Sequence, residues 1–157
     1  MEGAMIEMER RQRRAAQVCL GAVALTLALV FSSFIISSSR FVEERRPSDS
    51  SFEIALWGVV LLAGIGSIAL RRVQLGAARL RRIAATGGQL RVLAACERAA
   101  LWGAALGGGI AVLGFAIALL TGEPFDMLRA ALIASIAMFY NYPRAESWRQ
   151  IMAEFGG

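Results

Sequence analysis

The residues able to do chemistry are few, and each has a plainer use. Glu43, Glu44, Asp49, Glu123 and Asp126 could pair as carboxylates for general acid–base work, but they sit in polar, Pro-containing turns and read as solvated loop residues. Cys19 and Cys96 are the two cysteines, lie far apart in sequence, and form no C-x-x-C; they read as small packing residues. There is no histidine, which removes the usual zinc and haem ligand and the usual proton shuttle. Gly107-Gly108-Gly109 lacks the preceding strand and the Lys-Ser/Thr of a phosphate loop. No catalytic residue, cofactor site or metal set is expected, and the chain reads as a non-enzyme.

What remains is an apolar chain punctuated by arginine. It has 157 residues, 57% hydrophobic and 18% charged, against about 25% charged in a soluble domain. The 17 basic residues are all arginine and the net charge is +5. Such a charge could suggest nucleic acid, but here the arginines flank apolar runs, so lipid head groups are the expected partner and nucleic acid is not. An all-arginine cation set fits a GC-rich coding bias.

The apolar runs give the fold class: an all-α, polytopic membrane protein, a single bundle of four transmembrane helices. After a charged lead (1–15), span one covers 16–39 without a charge, more than the roughly 20 residues needed to cross the hydrocarbon core. It is also too long for the apolar core of a cleavable signal. Span two covers 52–70, with Glu53 at its start and Arg71-Arg72 at its end. A helical hairpin over 71–98 follows: the helix of span two runs on until Gly87-Gly88 interrupts it, and Gln89 opens another helix that flows into span three. Span three covers 99–121. Gly122 to Asp126 makes a tight turn, with Pro124 suited to open span four, 124–142, which closes on Tyr140, Asn141 and Tyr142. Arg129 lies on its second turn and can snorkel.

The tail carries one apolar stripe, Trp148, Ile151, Met152 and Phe155, with Ser147 and Gln150 as a capping box. The expected element is an interfacial helix over 147–155, lying flat on the membrane or docked on a partner. Asn141, Tyr142 and Arg144 form the most site-like cluster, able to contact a lipid phosphate or a partner's carboxylate together with that stripe.

Thirteen arginines fall on one side of these spans: four in the lead, seven over 71–98, and Arg144 and Arg149. Arg40, Arg45, Arg46 and Arg129 fall on the other. The positive-inside rule then puts both termini in the cytoplasm, with a bacterial inner membrane as the expected location. A faint internal repetition accompanies this layout, with Pro-x-Asp at Pro47 and Pro124 and Arg-Ala-Ala at Arg14 and Arg98.

Span three holds a seam of small residues, Gly103, Gly107, Ala111, Gly114 and Ala118. Lipid supplies no hydrophobic drive between helices, so close backbone approach along such seams drives packing. Its partner is either another helix of this chain or a second subunit. No span carries an internal charge or proline at mid-depth, unlike ion-coupled carriers. In arrangement alone the chain is similar to the small membrane subunit of tripartite secondary transporters, with no motif shared. The expected function is a non-catalytic accessory subunit of a larger membrane complex, with other integral membrane subunits as partners. The alternative is a small homo-oligomeric pore, holin-like protein or transporter lined by the serines ending span one.

Overall fold

A computed structural model describes residues 2–38 and 50–155 of the chain. Arg40, Glu43, Glu44, Arg45, Arg46, Pro47 and Asp49 lie outside the described residues. Those described form five helices and no strand: α1 (Glu2–Ser38), α2 (Ser50–Gln74), α3 (Ala77–Thr121), α4 (Pro124–Asn141) and α5 (Ala145–Phe155). Three are long and apolar enough to cross a membrane: Met5–Ser38, Ser51–Gln74 and Ala77–Thr121. The chain is an all-helical protein whose helices suit a multi-pass membrane location.

The charged lead is not separate from span one. It forms the first turns of α1, because Met8 is buried against Leu93, Cys96 and Trp148, and Arg11 bridges Glu7 on its own helix to Glu97 on α3. The bridge contacts, 2.7 and 3.4 Å, are partly buried at the edge of the bundle and contribute about 1 kcal/mol. Burial of Met8 is the stronger hold.

The region between spans two and three departs from the expected single continuation of α2. The helix stops at Gln74, where Gly76 takes an extended conformation (φ −62°, ψ 135°) and its carbonyl accepts the N–H groups of Arg79 and Leu80 as α3 begins. The second interruption is at Gly88, as the glycine pair implies. Gly88 has φ 62° and ψ −166°, a region essentially reserved for glycine. The arm 77–87 there turns onto 89–121, burying Leu80 against Val92 with Ile83 and Ala84 alongside. Replacing Gly88 with alanine is expected to cost about 1–3 kcal/mol, read as a lower thermal midpoint in detergent. Gly87→Ala should cost less, since the added methyl meets only the flexible Arg91 side chain.

At the opposite end α3 closes on Gly122, left-handed at φ 78°, whose N–H donates to the Ala118 carbonyl at 2.9 Å. Pro124 then opens α4, its fixed φ suiting a first helical turn. Asp126 departs from the solvated role expected of it: it is 4% exposed, accepts from the Thr121 hydroxyl at 2.9 Å, and pairs with Arg129 at 2.9 Å. The tight turn folds the carboxylate back over the end of α3, where Thr121 meets it. Phe34 of α1 packs edge-on to Phe125 at the same end.

α3 touches each of the other four helices, and α4 is its main neighbour. Half of the most apolar stretch of α3 is buried within the protein, against 17% for α1 and for α2. The outer faces of α1 and α2 therefore present large apolar side chains, among them Leu27, Phe31, Ile54 and Leu62.

α4 ends at Asn141 because Pro143 lacks the N–H a continuing helix needs and restricts Tyr142 before it. α5 restarts at Ala145, earlier than the Ser147 cap would place it, with the Trp148 N–H donating to the Arg144 carbonyl at 3.2 Å. Ser147 is thus inside the helix.

Candidate functional site

The small-residue seam is occupied from within the chain. Gly103, Gly107, Ala111, Gly114 and Ala118 are all buried, and α4 lies along them. A methyl added at Gly103 would overlap the Asn141 side chain, and one at Gly114 would overlap the Ala130 Cβ. At Gly107 it would sit 2.5 Å from the Met138 Cγ. Ala134 and Ala137 complete the α4 face, so the two helices meet small residue on small residue.

This packing decides the fate of Asn141. It is 2% exposed, and its side-chain amide donates to the Ala137 carbonyl at 2.8 Å. The neighbouring Tyr142 and Arg144 remain exposed.

The tail stripe is also covered internally. Trp148 is 5% exposed in a cluster with Met8, Leu93 and Cys96, and Ile151 and Met152 pack half-buried against both this cluster and the Leu80–Val92 pair. Those three side chains contact the chain's own helices, leaving Arg149, Gln150 and Glu154 outward. The Phe155 side chain lies outside the described residues. Cys19 and Cys96 are both buried free thiols.

Three buried hydroxyls within the long helices are turned onto their own backbones. The hydroxyls of Thr26, Ser33 and Ser67 donate to the carbonyls of Ala22, Val30 and Gly64 at 2.8–2.9 Å. Ser37 reaches the Gly122 carbonyl at 3.4 Å. Among the described residues no group of three or more metal-ligating side chains gathers.

Sequence reasoning missed one arrangement. Arg71, in the last turn of α2, stacks over the Tyr140 ring of α4 at 5.3 Å, while Arg144 lies over Phe139 at 5.1 Å. Both arginines line a cleft of about 650 Å³ with Ser135, Ile136, Phe139, Tyr140 and Ser147. Nothing local distinguishes Arg71 from Arg72; only the packing of α2 on α4 does.

No family model, curated protein or solved structure matches the chain. The site is therefore read from its own residues.

Proposed function

We propose that this protein is a non-catalytic accessory subunit of a larger integral membrane assembly, of transporter or respiratory type. The observation that carries the reading is the contrast between a closed interior and open outer faces. The hydroxyls of Thr26, Ser33 and Ser67 bond their own helices, and the glycine seam is filled by α4. A path for an ion or solute through one copy has no polar lining on that account. The faces of α1 and α2, by contrast, are apolar and open to lipid or to neighbouring subunits.

In this reading α4 is a fourth span. Its 18 residues reach about 27 Å at 1.5 Å per residue, close to the hydrocarbon thickness, and exposed Arg129 at its outer end can snorkel to the head groups. Thirteen arginines against four place both termini in the cytoplasm, with a bacterial inner membrane as the setting. The arm 77–87 and the outward face of α5 then form a cytoplasmic cap over the bundle, with α5 at the head-group level.

The test is gentle detergent extraction of the tagged protein, with the mass and composition of the recovered complex. A stoichiometric larger membrane partner is expected. A homo-oligomer with no other chain overturns the reading in favour of a pore, and the serines ending α1 become the residues to vary.

A further inference from the structure

Arg71 poses a problem that the rest of the bundle does not solve. It lies within the apolar helix Ser51–Gln74, half-buried, whereas its neighbour Arg72 is exposed. Among the described residues its buried Nη1 has no hydrogen-bond partner, and no carboxylate lines its cleft. The stacking on Tyr140 answers the positive charge but does not accept the in-plane N–H donors. An unmet charged donor at this depth costs free energy unless something supplies an acceptor.

The cleft has the composition such an acceptor requires. Arg71 and Arg144 give two guanidinium forks, and Ser147 adds a hydroxyl. Ile136 and Phe139, 56% and 70% exposed, extend an apolar wall along α4 from the same opening. Tyr140 marks the depth of the head groups, where aromatic rings with one polar end settle. A cationic pair above an apolar wall fits an amphiphile with a phosphate at its head.

We propose that this cleft binds the phosphate of a glycerophospholipid, held by Arg71 and Arg144, with an acyl chain along Ile136 and Phe139. Arginine suits the role because its planar fork engages two phosphate oxygens at once, and stacking on Tyr140 and Phe139 fixes the orientation of each fork. The occupant supplies the acceptors that Arg71 lacks and lowers the repulsion between two guanidinium groups in one cleft.

Native mass spectrometry of the detergent-solubilised full chain tests this with three probes: phosphatidylglycerol, diacylglycerol with the same chains, and inorganic phosphate. Phosphatidylglycerol is expected to be retained about tenfold more tightly than diacylglycerol, the effect of losing charged hydrogen bonds. Arg71→Gln and Arg144→Gln should each weaken retention by about fivefold to tenfold. Arg71→Lys should fall between, since it keeps the charge and loses the fork. Arg72→Gln should leave retention unchanged. Arg144 is exposed, so its variant keeps the test valid should the Arg71 variants fail to fold. Equal retention of diacylglycerol overturns the proposal, as does an equal loss in Arg72→Gln, which would reduce the effect to bulk charge. Displacement of phosphatidylglycerol by millimolar inorganic phosphate assigns the cleft to the free anion and overturns the lipid assignment.

Discussion

Replacing Gly114 with leucine drives α3 and α4 apart and unfolds the bundle at a much lower temperature or detergent stress than the parent. The first added carbon already overlaps the Ala130 Cβ, and the Ala130 Cα is 3.5 Å from the same point. Rotamer change on α4 cannot relieve the clash, because alanine has no rotamer to change. One helix must translate, which opens the contacts of Gly103 with Asn141 and of Gly107 with Met138 further along the seam. Overpacking of this kind costs about 1–3 kcal/mol for a methyl or two and more for a side chain the size of leucine. Gly109→Leu is the matched control, since an added carbon there meets nothing within 4 Å, and its midpoint should stay at the parent value. Equal loss in the two variants would show that the seam does not hold the bundle.

Truncating Trp148 to alanine releases the tail. Trp148 is buried where α1, α3 and α5 meet, beside Met8, Leu93 and Cys96. Large aromatic truncations in a packed core cost about 3–5 kcal/mol through lost burial and the cavity left behind. α5 has only 11 residues and too little intrinsic stability to persist undocked. Limited proteolysis should therefore cut the Trp148→Ala chain after Arg144 and Arg149 while sparing α1 to α4. The exposed Arg149→Gln should leave protection at Trp148 and the Arg144 site intact. Resistance of the Trp148→Ala tail would mean that lipid or another subunit, not this cluster, holds it.

Several errors of sequence reasoning share one cause. Ser147 with Gln150 matches a capping box, yet the helix begins at Ala145 because Pro143 ends α4 and the chain re-enters helix at once. The continuous pattern after Arg72 conceals the break at Gly76, since a lone glycine is compatible with helix interior or helix end. Asp126 reads as a loop carboxylate, and only the turn at Gly122 brings it under the Thr121 hydroxyl. In each case the residue types were compatible with more than one local conformation, and a turn a few residues away selected one.

The sequence by itself determined the helical class, the three long apolar helices, the turn at Gly88, the turn at Gly122–Pro124 and the small-residue seam. These follow from periodicity, from charge placement and from the φ restrictions of glycine and proline, all of which act over a few residues. The tertiary structure alone decided that the seam faces α4, that Trp148 is covered by α1 and α3, and that Arg71 rather than Arg72 meets Tyr140. Those outcomes depend on the rotation of one helix against another, which is set by side-chain fit between residues far apart in the chain. A stripe in the sequence states that a face will be covered; the packing of the bundle chooses what covers it.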